Sequence, residues 1–209
     1  MFAVHADDAD GRAGCGDIAM ILWSYIKDGF GKMKSAASRG ESGRLRLEAL
    51  NVARSLIGLG EEGGNNRGED VETWLASVGR PGGEAWCAAF VSHCYLTAAA
   101  HVGIKLPFKT SSSAKRLTKN IIEVGREIAI EDVSPGDIIC LNRGTAAWTG
   151  HVMIVVSRVG ASVDVIEGNK GPYPALVKES MYAIAVLKKT LYKCASVSKG
   201  WDDSGRAGT

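Results

Sequence analysis

The sequence predicts an α+β fold in which N-terminal helices pack on a C-terminal antiparallel β-sheet. Apolar residues recur at helical spacing over residues 45–100, and short β-branched runs follow Pro107. Helices first and strands later favour this class over alternating helices and strands. The chain has 209 residues, of which 45% are hydrophobic and 23% charged, so we expect one globular domain with extensions.

Three helices are predicted before the sheet. The first covers residues 45–56 and ends at the glycines of 58–60, and a polar, glycine-rich loop follows. The second covers 69–78 and has apolar residues spaced for one face. The third runs from 86 to about 100 and carries a buried stripe.

The sheet is predicted from a turn and several strand-like runs. Ser134-Pro-Gly-Asp137 has Pro and Gly at the centre positions of a type II turn. Gly160-Ala161 is placed to join two strands as a hairpin. The predicted strands cover 137–141, 151–159, 162–167 and 181–188.

The chain divides into three predicted segments. Residues 1–43 form an N-terminal extension with a possible short helix and a linker, 44–190 form the main domain, and 191–209 form a polar, frayed tail. The acidic N-terminus lacks the features of a Sec signal peptide, and the apolar run 19–26 is too short to cross a bilayer. We therefore expect synthesis in the cytoplasm and delivery or release by another agent.

Charge and cysteine content exclude several function classes. The net charge of +2 is too small to indicate nucleic-acid binding. Five scattered cysteines form no regular framework or zinc-ligand pattern, so we expect mostly free thiols from a reducing compartment and no cofactor. The oxygen-rich stretch 61–70 lacks EF-hand spacing, and we interpret it as a solvated loop and helix cap rather than a calcium site.

Cys87 is the first candidate for catalysis. It lies just after Gly82-Gly83, at the predicted first turn of the third helix. Unpaired N–H groups at a helix N-terminus lower the pKa of a thiol and stabilise an oxyanion. The alternative is a small buried hydrophobe, which is the usual role of a single cysteine.

His151 is placed to act as a base for that thiol. His5 lies in the N-terminal extension, His93 follows Cys87 on the same helix, and His101 lies at the helix end. His151 instead opens a separate strand, as a base that faces a helical thiol must. A purely structural histidine at the start of an apolar strand is the alternative.

Glu167 and Asn169 are candidates to orient His151. If the two strands before them pair as a hairpin, the end of the second lies beside the start of the first. Either side chain could then accept the imidazole N–H, and a plain turn is the alternative. Trp86 and Trp148 flank the two catalytic candidates and are predicted to bind substrate, with a core position left open.

Five motifs in order resemble the CHAP family of cysteine, histidine-dependent amidohydrolases/peptidases over residues 45–190. They are Gly60-Glu-Glu-Gly-Gly-Asn-Asn-Arg-Gly68, Ala85-Trp-Cys-Ala-Ala-Phe-Val91, Ser134-Pro-Gly-Asp-Ile138, Gly150-His-Val152 and Glu167-Gly-Asn169. The resemblance implies a papain-like α+β fold and thiol hydrolysis of bacterial peptidoglycan. By motif match, Cys87 is the nucleophile, His151 the base, Glu167 its orienting partner and Asn169 a further polar site residue.

The resemblance implies a peptidoglycan hydrolase, either an N-acetylmuramoyl-L-alanine amidase or a peptide endopeptidase. Such proteins include phage lysins and antibacterial effectors, which act on the cell wall after release or delivery. The alternatives are a papain-like protease that acts on proteins and a wall-binding module without catalysis. Peptidoglycan is the expected partner, and the sequence does not identify an immunity or delivery protein.

Overall fold

The computed structural model describes residues 40–144, 146 and 149–198. The predicted N-terminal extension up to residue 39, the side chain of Trp148 and the end of the predicted tail lie outside the described residues. Residues 40–43 are helical and continue into the main domain, so the predicted boundary at residue 43 falls inside a helix.

The described chain contains five α-helices, a short 3₁₀ helix and six strands. In chain order they are α1 (40–55), α2 (Glu69–Ser77), α3 (Cys87–Val102), α4 (Ala114–Val124), β1 (Arg126–Ile128), the 3₁₀ helix (Ile130–Asp132), β2 (Ile138–Asn142), β3 (Gly150–Val159), β4 (Ser162–Glu167), β5 (Lys178–Ala183), α5 (Ile184–Lys188) and β6 (Leu191–Ser196). Helices therefore precede most of the sheet, and the predicted α+β class is confirmed.

The six strands form one antiparallel sheet in the order β1-β6-β2-β3-β4-β5. The predicted hairpin between β3 and β4 is present, and Val159 pairs with Ser162 across the turn. This hairpin brings the start of β3 and the end of β4 to the same end of the sheet.

Both faces of the sheet are covered by apolar side chains. Side chains alternate between the faces along a strand. Cys140 and Val152 belong to the cluster that includes the helices α1–α4, whereas Ile139 and Met153 belong to a second cluster. Residues of the 3₁₀ helix and of α5 complete the second cluster. Strand side chains are therefore buried on both faces of the sheet.

Helix α3 is the most buried helix, because apolar or small residues occupy nearly its whole circumference. It ends at Gly103, whose φ of 77° places it in the left-handed region that favours glycine. Near its N-terminus, Trp74 of α2 packs against Trp86 and Phe90, with ring centroids 5.2 and 5.3 Å away. This packing fixes the position of the first turn of α3 in the core.

The predicted type II turn comes directly before β2 and packs against α1. Asp137 N–H donates to the Ser134 carbonyl at 3.0 Å, and Gly136 has a φ of 82°. A Cβ at Gly136 would lie 2.2 Å from the Arg46 carbonyl oxygen, so the turn also needs glycine for close packing. The Arg46 guanidinium pairs with the buried Asp137 carboxylate at 3.1 Å.

The structure corrects two predicted elements and adds one. The run 181–188 is not one strand, because β5 ends at Ala183 and α5 follows. Residues 191–196 are not a frayed tail, because they form β6 between β1 and β2. The polar segment after residue 111 contains α4, which begins with the Ser113 side chain accepting from Arg116 N–H.

Candidate active site

Cys87 is the first residue of α3 and lies at the boundary between core and cleft. The first hydrogen bond of the helix joins Phe90 N–H to the Trp86 carbonyl at 2.8 Å. The N–H groups of Cys87, Ala88 and Ala89 therefore have no partner within the helix. The Cys87 side chain is 5% exposed and lines a cleft, so the thiol is shielded but reachable.

His151 follows the first residue of β3, and its ring is held by a buried carboxylate. Its Nε2 lies 2.7 Å from Glu167 Oε2, and Glu167 is fully buried. Because a carboxylate only accepts, Nε2 carries the proton of this bond. Among the described residues, the buried Nδ1 has no partner with hydrogen-bond geometry, which leaves it for the Cys87 thiol beside the ring.

The surroundings of Cys87 favour the thiolate. Burial raises the pKa of the thiol, but the hydrogen bond and charge of His151 lower it, and the net pKa is below the ordinary thiol value. The Val152 N–H and the Arg143 charge lower it further. The thiolate is the nucleophilic form, so this residue is activated for attack.

The same contacts act on His151 in the opposite direction. Burial lowers the pKa of the imidazole, but the interactions with Cys87 and Glu167 outweigh burial and raise it to about 9. A raised imidazole pKa beside a lowered thiol pKa favours a thiolate–imidazolium pair. Hydrogen bonds also hold the pKa of Glu167 below its ordinary value despite burial, so the carboxylate stays charged.

The other described thiols do not share this environment. Cys94, Cys140 and Cys194 are free and buried. Burial raises the pKa of Cys94, of Cys140 to about 11 and of Cys194 to about 12, so all three stay protonated near neutral pH. Within the described part of the chain, Cys87 is therefore the thiol suited to catalysis.

The remaining described histidines have other surroundings. His93 packs near Trp74, with ring centroids 6.3 Å apart, and burial lowers the pKa of its imidazole. His101 Nδ1 lies 2.7 Å from Glu48 Oε1 near the end of α3. The imidazole whose hydrogen bond and charge lower the pKa of Cys87 is that of His151.

The two predicted orienting residues have different positions. Glu167 contacts the His151 ring, whereas Asn169 has a φ of 58° and lines the cleft. The Asn169 carbonyl accepts from Arg143 Nη1 at 3.4 Å, which links the loop after β4 to the loop after β2. Glu167 is thus the partner of the imidazole, and Asn169 is a wall residue of the cleft.

The cleft has a volume of about 990 Å³ and opens above Cys87. Polar side chains from five loops surround it, including Asn65, Glu84, Ser112, Arg143 and Asn169. A cleft of this size accommodates a ligand larger than a single sugar or amino acid. The thiol of Cys87 therefore belongs to the wall of a polar cleft.

Trp86 does not line this cleft, and the prediction that it contacts substrate is wrong. Its ring is fully buried, and its Nε1–H donates to Glu61 Oε1 at 3.1 Å. A Cβ at Gly168 would lie 2.2 Å from the ring, which shows how closely the β4 end packs on it. Trp86 therefore packs against the loop of Glu61 and the end of β4. The predicted role of Trp148 stays a prediction outside the described residues.

Glu61 is a buried anchor that the sequence interpretation placed in a solvated loop. Its Oε1 accepts from Asn66 N–H at 3.0 Å as well as from Trp86, and its Oε2 accepts from Ala175 N–H at 2.8 Å. These bonds tie two cleft loops to the start of α3. No single motif in the sequence distinguishes this inward glutamate from its exposed neighbour Glu62.

The described residues contain no group of three or more His, Cys, Asp or Glu side chains arranged to hold a metal ion. None of the described helices has the length and apolarity to cross a bilayer. The oxygen-rich stretch 61–70 instead supplies a helix start at Glu69 and the Glu61 anchor.

A comparison with protein families agrees with this geometry. Residues 79–169 match the model of the CHAP domain, and this segment contains Cys87, His151 and Glu167. The predicted resemblance to the CHAP family is therefore confirmed. No curated protein matches the chain significantly in sequence.

Three solved structures resemble the chain at low identity. The crystal structure of Ly7917 has a TM-score of 0.47 and 20% identity over 71% of this chain and 61% of that chain. Ly7917 with the hydrolyzing product of MDP has a TM-score of 0.48 and 20% identity over 73% and 62%. The P60 domain from the M. avium subspecies paratuberculosis antigen MAP1204 has a TM-score of 0.44 and 14% identity over 76% and 98%. The chain thus spans less than two thirds of the Ly7917 chains that it matches.

Proposed function

We propose that this chain, in which a CHAP domain matches residues 79–169, is a cysteine hydrolase of bacterial peptidoglycan. The observation that carries the proposal is the buried line of Cys87, His151 and Glu167 at the base of a polar cleft. Thiol activation, an oriented base and access for a substrate are the three requirements of thiol hydrolysis.

In the first step, the Cys87 thiolate attacks an amide carbonyl carbon of the wall peptide. A carbon–sulfur bond forms, and the carbonyl electrons move to oxygen. The N–H groups of the first turn of α3 donate to this oxyanion, and each donor of this kind lowers the barrier by roughly 3–4 kcal/mol. The oxyanion then collapses as the carbon–nitrogen bond breaks.

The imidazolium of His151 gives its Nδ1 proton to the leaving amine, so that a thioester and a neutral imidazole remain. Nδ1 next takes a proton from a water molecule, whose oxygen attacks the thioester carbon. The carbon–sulfur bond breaks, and a carboxylic acid leaves. Glu167 stays ionised throughout and stabilises each imidazolium by its bond to Nε2.

The bond is an amide, either between N-acetylmuramic acid and L-alanine or within the peptide and its cross-bridge. The polar side chains that line the cleft, including Asn65, Asn66 and Ser112, are suited to hydrogen bonds with the amide and hydroxyl groups of such a substrate. We place the activity at the cell wall after release or delivery, in the role of a phage lysin or an antibacterial effector.

Substitution of Cys87 tests the proposal. Cys87→Ala should abolish release of soluble fragments from dye-labelled peptidoglycan, because the thiolate is lost, while the melting temperature stays near that of the wild type. Cys94→Ala and Cys140→Ala are matched controls, since both thiols are buried and lie outside the cleft lining. A Cys87→Ala protein that is as active as the controls would remove the proposal.

A parallel incubation with casein separates the proposal from its alternatives. A wall hydrolase releases peptidoglycan fragments and leaves casein intact. Cleavage of casein with intact peptidoglycan would indicate a protein-directed protease. Binding to peptidoglycan without any fragment release would indicate a wall-binding module without catalysis.

A further inference from the structure

Tyr182 and Lys170 contact the oxygen of Glu167 that does not face His151. The Tyr182 hydroxyl lies 2.5 Å from Glu167 Oε1, and Lys170 Nζ lies 3.4 Å from the same oxygen. Oε2 is the oxygen bonded to His151. The two oxygens of this fully buried carboxylate therefore have separate partners.

The register of the sheet explains how Tyr182 reaches Glu167. On β4 and β5, Val163 pairs with Tyr182 and Glu167 pairs with Lys178. Because side chains alternate along a strand, Val163, Tyr182 and Glu167 lie on the same face. The phenol ring packs against the second apolar cluster, and its hydroxyl extends along the face to the carboxylate.

The chemistry of the groups fixes the direction of each hydrogen bond. An ammonium only donates and a carboxylate only accepts. Lys170 Nζ contacts the Tyr182 hydroxyl and lies 4.2 Å from the ring centroid. The hydroxyl therefore accepts from Lys170, and its single proton is directed to Glu167.

The same rule about donors and acceptors determines which nitrogen of His151 carries a proton. Glu167 Oε2 only accepts, so the Nε2 of His151 carries a proton. A neutral imidazole has one N–H, and Nδ1 is then the lone-pair nitrogen that faces Cys87. The tautomer of the base thus depends on which way the Glu167 carboxylate is held.

We propose that Tyr182 is a positioning residue that, with Lys170, holds Glu167 in the orientation that sets the reactive tautomer of His151. The Tyr182 hydroxyl contacts the Glu167 carboxylate, and Glu167 in turn contacts His151, so Tyr182 acts through Glu167. The inference rests on the thiol mechanism proposed above but not on the identity of the bond that is cut.

The groups that determine how the reactivity of Cys87 depends on pH lie on four parts of the chain. Glu167 is faced by His151 on β3, by Lys170 in the following loop, and by Ser180 and Tyr182 on β5. Cys87 is faced by His151 and by the Arg143 charge. Loss of the Tyr182 hydroxyl changes the support of Glu167 and leaves these charges in place.

Tyr182→Phe in the full chain tests the proposal, since phenylalanine keeps the ring and removes the hydroxyl. Alkylation of Cys87 by iodoacetamide, followed by peptide mass spectrometry across pH, reports the thiolate directly. We expect the apparent pKa of the Cys87 thiol to rise by about one unit. At a pH below the wild-type pKa, the alkylation rate should then fall about tenfold. Peptidoglycan turnover should lose about tenfold in kcat with little change in KM.

Tyr192→Phe is the matched control, because Tyr192 is half-buried on β6 and its ring contacts Lys115. This variant should keep the wild-type alkylation profile. A Tyr182→Phe protein with the same profile and kcat as the control would overturn the proposal. A lower melting temperature with an unchanged profile would also overturn it, because the role of Tyr182 would then be structural.

A second measurement does not depend on the folding of that variant. In Cys87→Ala protein, ¹⁵N spectra of the neutral His151 imidazole should show the Nε2–H tautomer, and the Nδ1–H tautomer would contradict the proposal. Alkylation needs no peptidoglycan, so the inference and the proposed function fail separately. If the alkylation profile depends on Tyr182 but the protein leaves peptidoglycan intact, the positioning role of Tyr182 is supported and the proposed function is contradicted.

Discussion

At the scale of single residues, burial alone does not decide the reactivity of a thiol in this protein. Cys87, Cys94 and Cys140 are all buried, yet burial raises the pKa of the last two and the His151 interaction lowers that of Cys87. At Cys87, the charged partner therefore lowers the thiol pKa by more than burial raises it. The sequence predicted this partner from position, because His151 comes from a different element than the thiol.

Arg143 was not predicted as a site residue, since an arginine in a loop has no distinctive pattern. Its guanidinium donates to the Asn169 carbonyl at 3.4 Å, and its charge lowers the pKa of the Cys87 thiol. The side chain lines the cleft and becomes relevant only after two loops come together.

Arg143→Gln should make Cys87 less reactive, because the thiolate loses a nearby positive charge. We expect the apparent pKa of the thiol to rise by about half a unit, which slows alkylation about threefold at a pH below it. The exposed Arg158 near the β3–β4 turn provides the control variant Arg158→Gln. Equal alkylation profiles for both variants would show that Arg143 has no electrostatic role.

At the scale of elements, the site depends on the β3–β4 hairpin and on the start of α3. Both were predicted from sequence, since the strand runs are β-branched and the helix follows a glycine pair. β6 was missed because Leu191–Ser196 contains Lys193 and lacks a β-branched run. The run 181–188 was assigned to one strand, since local periodicity does not separate a strand from a short helix that follows it.

Gly168 lies where the end of β4 packs on Trp86, the residue before α3. A side chain at this position would collide with the Trp86 ring. Gly168→Ala should destabilise the fold by roughly 1–3 kcal/mol through overpacking and should displace Glu167 from His151. Urea unfolding and peptidoglycan turnover measure the two effects. Gly43→Ala is the control, because no atom lies within 4 Å of a Cβ placed there.

Wild-type stability and activity in Gly168→Ala would contradict the close packing of the β4 end on Trp86. Loss of activity with unchanged stability would instead show that Glu167 moves without a cost to the core. The Gly43→Ala protein should keep its activity in either case and should not lose stability, since alanine favours the helix by about 1 kcal/mol over glycine.

At the scale of the whole molecule, catalysis needs a thiolate and an imidazolium at the same time. Activity should therefore rise as pH increases through the lowered pKa of Cys87 and fall as it increases through the pKa of His151, which is raised to about 9. The pH dependence of kcat/KM on soluble wall fragments measures both limbs. An activity that keeps increasing above pH 10 would contradict the imidazolium as the proton donor.

The cleft combines loops that are distant in sequence, and this limits prediction from sequence. Glu61 holds the loop of Asn66, the start of α3 and the segment at Ala175 through three hydrogen bonds. The motifs indicated the candidate catalytic residues, because their chemistry is local to short patterns. The wall of the cleft and the inward turn of Glu61 arise from tertiary packing, which no local pattern encodes.

Mass spectrometry of purified peptidoglycan after digestion tests the central claim most directly. The wild-type protein should produce fragments with a new amino group and a new carboxyl group at one type of bond, and Cys87→Ala protein should produce none. The same fragments from Cys87→Ala protein, or an undigested wall after incubation with the wild type, would contradict the assignment of Cys87 as the nucleophile of a wall hydrolase.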